Sequence, residues 1–205
     1  MGDTLRQTET IALMREVLRE SYTNLQVRRV DIKEQLDEET TEINCEVINE
    51  ATGEKSVIAG KGVGVIDAFF QGVADRFATE YPSLRTIRFA AFTVQAQLGS
   101  KRGYAGTDSK AEVTVEVANS DDKRFRFTHA SRSVIASSIV TTLAALEYFI
   151  NSERAFVTMY HALKDAKERN RSDLVQRYTN ALASLVQNTS YSEVISKIRT
   201  DLGPA

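Results

Sequence analysis

Glu42-Ile43-Asn44-Cys45-Glu46-Val47-Ile48-Asn49 and Glu112-Val113-Thr114-Val115-Glu116-Val117-Ala118-Asn119 share the skeleton Glu-x-x-x-Glu-Val-x-Asn. In both, apolar residues alternate with polar ones, the period of a strand with one buried face. The likeness extends outward from these stretches. Tyr22-Thr23-Asn24-Leu25 and Tyr81-Pro82-Ser83-Leu84 each precede a run of β-formers, and each copy ends in a turn, a further strand and a helix. Such a duplication constrains the whole architecture. It predicts an α+β fold of two pseudo-symmetric βββα units, with an N-terminal helix before them and a C-terminal three-helix extension after them. The expected division is residues 1–21, 22–151 and 152–205.

Within this frame, helical spacing of Ile11, Met14, Val17, Leu18 and Tyr22 predicts a helix from Thr4 to Tyr22, capped by Thr4 or Thr8. Strands are expected over Leu25–Glu34, Thr41–Ile48 and Lys55–Ala59, with Gly53 free to take a positive φ in the hairpin between the last two. Gly60-Lys61-Gly62-Val63-Gly64 then reads as a loop leading into a helix from Val65 to about Glu80, with a buried stripe of Ile66, Phe69, Phe70, Val73 and Phe77. In the second copy a strand over Ile87–Gln97 carries a bulge after Ala91, and a polar loop runs from Leu98 to Ser109. A helix from about Ser133 to Asn151 buries Ile135, Ile139, Leu143, Leu146 and Ile150. Its other face (Ser137, Ser138, Thr141, Thr142, Ala145) is small enough for another element to come close. Ser152, Ser172 and Ser190 or Ser192 are read as caps of three further helices.

A net charge of -2 leaves no broad electrostatic footprint for nucleic acid, and no apolar run approaches membrane-spanning length. The N-terminus lacks the pattern of a secretion signal, and the single cysteine forms no internal disulfide, so a cytoplasmic protein is expected.

Few residues suit catalysis. The two histidines, His129 and His161, have no His or Cys partner at metal-ligand spacing, so no metal and no cofactor are expected. His129 reads as a strand-end histidine, and Cys45 as a small buried hydrophobe. Glu42 with Glu46, and Glu112 with Glu116, read as solvent-facing rows rather than acid–base pairs. The glycine-rich stretch bears two readings. A strand-to-helix turn with free N–H groups at a helix origin suits an anion, a carboxylate as readily as a phosphate; alternatively, the glycines only permit a tight turn. It has neither the Gly-Lys-Ser/Thr of a nucleotide-binding loop nor the full Gly-x-Gly-x-x-Gly of a dinucleotide fingerprint, since Asp67 stands near where the last glycine would fall.

Gly62-Val63-Gly64-Val65-Ile66-Asp67-Ala68 resembles the Gly-x-Gly-Pro-Val-Asp-Ala motif of the C-terminal regulatory domain of 2-isopropylmalate and citramalate synthases. Gly106-Thr107-Asp108-Ser109-Lys110-Ala111 is similar to that domain's Gly-x-Asp-Ala stretch, and Ser131-Arg132-Ser133-Val134-Ile135-Ala136-Ser137-Ser138 falls where the family opens its second helix. Val65 replaces the motif's proline and Ser133 the aspartate of the second copy. The resemblance covers roughly residues 22–150 and implies a homodimer of paired βββα units that binds leucine or isoleucine. It implies an effector site drawn from Gly62, Gly64, Val65, Asp67, Ala68, Gly106, Asp108, Ser131, Ser133 and Ser137. The family's metal-dependent (β/α)₈ barrel and its His-x-His motif have no counterpart in this sequence. The expectation is therefore a regulatory module without catalysis of its own, acting on a partner synthase. The alternative is an interaction module that kept the fold and lost the effector.

Overall fold

The computed structural model describes residues 2–96, 109–188 and 200. Helix α1 (Gly2–Leu18) and a single 3₁₀ turn lead into β1 (Leu25–Gln35), β2 (Thr40–Asn49), β3 (Lys55–Gly62) and α2 (Val65–Phe77). After a second 3₁₀ turn, β4 (Arg88–Ala96), β5 (Ala111–Ala118), β6 (Arg124–Ser131) and α3 (Val134–Glu168) repeat the order, and α4 (Ser172–Asn188) follows. The strands form two separate antiparallel sheets, β1-β2-β3 and β4-β5-β6. The duplication read from the sequence is thus the organisation of the fold.

The two sheets match rung by rung. Val27 pairs with Val47 and Arg29 with Glu46, leaving Arg28 as a bulge; Phe89 pairs with Val117 and Ala91 with Glu116, leaving Ala90 as one. The second bulge therefore lies one residue before the position expected. The shared skeleton has a physical basis. Its valines and their neighbours bury Ile43, Cys45 and Val47 in one sheet and Val113, Val115 and Val117 in the other. Its final asparagine builds the hairpin: Asn49 Oδ1 accepts the Ala51 N–H at 3.1 Å, and Asn119 Oδ1 accepts the N–H groups of Asp121 at 3.1 Å and Lys123 at 2.9 Å. Each turn then needs one left-handed residue, Gly53 (φ 72°) in the first and Asp122 (φ 58°) in the second.

Several boundaries differ from expectation. Helix α1 begins before either proposed threonine cap and ends at Leu18, where Arg19 turns left-handed at φ 49°. β3 continues through Gly60 to Gly62, so only Val63 and Gly64 remain between strand and helix. α2 stops at Phe77 and buries Ala68, Phe69, Gly72 and Val73, while Ile66, Phe70 and Phe77 are half-buried. α3 passes straight through Ser152, which is fully buried in mid-helix and caps nothing. No Gly or Pro interrupts Val134–Glu168, and its buried row continues through Ala155, Phe156, Met159 and Tyr160. Ile135 is exposed rather than buried. The helix proposed after Ser190 or Ser192 lies outside the described residues, Thr200 excepted.

Among the described residues, α3 alone is long and apolar enough to cross a membrane by length and composition, which the sequence reading did not foresee. With 67% of its most apolar window buried, it is instead the central helix of the molecule. It packs on β5 and β6 and on α1 and α4. Its side chains also hold the starts of both units. Asn151 accepts the Thr23 N–H at 2.8 Å and donates to the Thr23 carbonyl at 2.8 Å, Glu147 accepts the Leu25 N–H, and Glu153 accepts the Ser83 N–H at 3.0 Å.

Candidate functional site

The two helix origins are equivalent in the duplication: Gly62 and Ser131 end their strands, Gly64 and Ser133 are the N-cap residues, and Ala68 and Ser137 follow in the first turns. Their chemistry differs.

At the α2 origin the helix lies almost on the backbone of β3. A Cβ on Gly60 would stand 1.9 Å from the Ala68 carbonyl oxygen, and one on Gly62 would stand 2.4 Å from Asp67 Oδ2 and 2.6 Å from the Ala68 N–H nitrogen. Gly72 meets the chain from the helix side, its Cβ position 2.7 Å from the Ala59 carbonyl oxygen. These glycines are packing devices. Gly64 differs: its backbone is extended and the space around its Cβ position is open. Asp67 turns back on its own helix origin, its Oδ2 accepting the Val63 N–H at 3.1 Å and its Oδ1 a bond from Gln71 at 3.4 Å. A carboxylate at a helix start complements the partial positive charge there. Val65 is half-buried beside it, and Ala68 is fully buried.

Sequence reasoning missed one residue at this place. Thr41 pairs with Gly62 across the sheet, lies on the buried face and, among the described residues, has a hydroxyl with no hydrogen-bond partner. A buried hydroxyl without a partner costs on the order of 1–3 kcal/mol. The alternation that made Thr41 the first residue of a strand places it inward, but only the tertiary packing reveals its isolation.

At the α3 origin three serine hydroxyls gather around the helix start, with one direct hydroxyl–hydroxyl contact, Ser131 to Ser137. Ser133 Oγ accepts the Ala136 N–H at 3.1 Å and caps the helix. Ser131 Oγ accepts the Ser133 N–H at 3.2 Å, donates to the Ser133 carbonyl at 2.8 Å and lies 2.9 Å from Ser137 Oγ. Ser137 in turn reaches the Ala111 carbonyl at 3.4 Å, and Thr141 reaches the carbonyls of Ser137 at 2.7 Å and Val113 at 3.5 Å. The small residues of α3 thus do admit another element, and it is β5. Ser131, Ser133 and Ser137 come together as a group. Gly106 and Asp108 lie outside the described residues.

The other candidates are quieter. His129 stands within β6, opposite Val113, and is exposed, as is His161. Cys45 is buried, and burial, reinforced by the Asp31 charge, pushes its thiol up to about 12, so no reactive thiolate forms at neutral pH. Among the described residues no three His, Cys, Asp or Glu side chains converge as metal ligands would. On the second sheet, Glu116 is held by Arg126 at 2.6 Å and Arg124 at 3.6 Å on the solvent face.

One surface stands out against this background. Phe89, Phe92 and Val94 of β4 lie on the same sheet face as Val117, Val115 and Val113, yet all three are exposed, with Val134, Ile135 and Val140 of α3 also exposed. The corresponding residues of β1, Val27, Val30 and Ile32, are half-buried and packed against the core. In the first unit α3 reaches the start of β1, where Glu147 accepts the Leu25 N–H; in the second, Phe70 of α2 touches Phe89 of β4, ring centroids 5.0 Å apart.

Residues 5–150 match the LeuA allosteric (dimerisation) domain. The chain belongs to this family. No curated protein matches the chain closely enough to count as a relative. As a LeuA dimerisation domain, the chain is a regulatory and dimerisation module, and the match runs from within α1 to the middle of α3. The rest of α3 and α4 lie beyond the match.

Proposed function

We propose that this LeuA-type domain works as a homodimeric sensor of a small branched-chain amino acid, leucine or isoleucine, in the cytoplasm, and regulates a partner synthase of branched-chain amino-acid biosynthesis. The family match over residues 5–150 is the observation that carries this reading. The second copy is expected to cover the apolar row Phe89, Phe92 and Val94 together with Ile135 and Val140. The effector is expected at the helix origins, its carboxylate towards the open backbone at Gly64 and Val65, its ammonium group towards Asp67. The unpartnered Thr41 hydroxyl and the small Ala68 and Ser137 shape the floor. Effector binding then acts by linkage, favouring one arrangement of the dimer and with it one state of the partner. Titration calorimetry of the full chain with leucine, isoleucine and valine tests the reading. Saturable heat from one of them, reduced in Gly64→Glu, is the expected result; no heat at millimolar ligand from a folded dimer rejects effector binding.

A second reading draws support from Asp67. Its carboxylate already occupies the Val63 N–H at the α2 origin, where an anionic effector would sit. In that case the domain is an interaction module that keeps the dimer and a protein partner without a ligand. A stable dimer that captures its synthase with no response to amino acids selects it.

A further inference from the structure

The solvent faces of the two sheets differ at one corresponding rung. In the second sheet Glu116 closes an ion triad with Arg124 and Arg126. In the first sheet Glu46 holds that position, Lys55 corresponds to Arg124, and Val57 stands opposite Glu46 where Arg126 stands opposite Glu116. The triad therefore lacks the arginine that makes its closest bond. On the other side of the rung the bulge residue is Arg28, where the second sheet has Ala90. The result is a groove of about 290 Å³ lined by Arg28, Glu46, Ile48, Lys55 and Val57. Among the described residues, no side-chain ion pair or hydrogen bond engages Arg28, Glu46 or Lys55, and Val57 is 60% exposed between them. At the equivalent place the second unit satisfies its charges internally; the first leaves two cations, one carboxylate and an apolar floor open.

We propose that this groove binds a small monoanion bearing a short apolar chain. The anionic head lies between the Arg28 guanidinium and the Lys55 ammonium, which offer charge-assisted hydrogen bonds. The chain rests on Val57 and Ile48. Glu46 repels a second negative charge, so dianions are selected against. The site lies on the sheet face opposite the helices, and it stands whether or not the helix origins bind an amino acid.

The test is a titration of the full chain with 4-methylpentanoate, followed by the backbone amide resonances of residues 46–57. The probe has no amino group, so its behaviour is separable from that of an amino-acid effector. Saturable shifts at those amides are expected, with affinity at least about tenfold weaker in the Arg28→Ala/Lys55→Ala double variant. Val57→Arg rebuilds the triad of the second sheet, pairs Glu46 and is expected to abolish binding while leaving the remaining spectrum in place. Arg126→Val, on the other sheet, is expected to leave the affinity unchanged. Succinate is expected to bind more weakly than the monocarboxylate. The proposal is overturned if no saturable shift appears at those amides, if the double variant binds as the parent does, or if succinate binds equally well.

Discussion

The two βββα units share a register, a bulge and a turn asparagine, yet they seat their helices differently. In the first, Gly60, Gly62 and Gly72 remove the side chains between helix and strand, and α2 lies chiefly over β3. In the second, His129, Ser131 and Thr141 hold the corresponding positions, and α3 straddles β5 and β6 with hydroxyls bonded to backbone carbonyls. One scaffold therefore tolerates either no side chain between helix and sheet or small hydroxyl side chains, Ser137 and Thr141, whose hydrogen bonds offset their desolvation, with His129 exposed at the margin. The units also differ at the surface. Phe89, Phe92 and Val94 of β4 stay exposed, whereas Val27, Val30 and Ile32 of β1 pack against the core.

The largest effect expected from this contrast is at Gly60. Gly60→Val has no room against the Ala68 carbonyl, so α2 must lift from the sheet, with a loss of about 3 kcal/mol or more. His129→Ala at the equivalent position of the second unit is expected to stay within about 0.5 kcal/mol. Urea denaturation of both variants gives the comparison, and similar losses would break it. The grip of α3 on the unit starts comes next. Asn151→Ala leaves the buried N–H and carbonyl of Thr23 unpaired, for about 2 kcal/mol of destabilisation in the same assay.

Glu147 sharpens the comparison through pH. Burial raises its carboxyl to about 7, against the opposing effects of the Leu25 N–H bond and the Arg15 charge, with Glu50 pushing further upward. The folded state thus holds this proton more tightly than the unfolded chain. Its contribution is fully present below the unfolded value near 4.5 and is lost as pH rises towards 7. The loss across that window is at most about 3 kcal/mol. Glu147→Gln is expected to flatten the stability–pH profile there; an unchanged slope would locate the titration elsewhere.

Phe92→Asp addresses the uncovered strand. If a second copy covers β4, sedimentation velocity should report monomers for this variant and dimers for Val30→Asp at the equivalent place in β1, provided both retain their circular dichroism. The smallest expected effect is at the exposed triad, where Arg126→Ala should cost no more than about 1 kcal/mol, since its arginine is 68% exposed and screened by solvent.

Individual residues show where the sequence was legible. Val113, Val115 and Val117 announce a buried face by alternation alone, and Gly53 announces its turn, because both signals are local. The glycines before α2 were ambiguous for the opposite reason. A loop and a close approach of two elements both select glycine, and only the position of Ala68 distinguishes them. Ser152 looked like a cap because serine caps helices, but nothing nearby breaks the helix and its surroundings bury it. At the candidate site, Ser131, Ser133 and Ser137 were named together through the family resemblance, while helical spacing alone placed Ser137 and Thr141 on one face. The isolation of Thr41 was not, since it depends on which groups fail to reach it.

The order of the strands, the duplication and the inward rows follow from local signals in the sequence, because periodicity and turn chemistry act over a few residues, whereas the run of α3 through Ser152 does not. The tertiary structure alone decided how closely each helix approaches its sheet, that one helix serves as the spine of both units, and which strand remains open to a partner. Those outcomes depend on contacts between residues far apart in the chain, whose energies are settled only when the whole core packs.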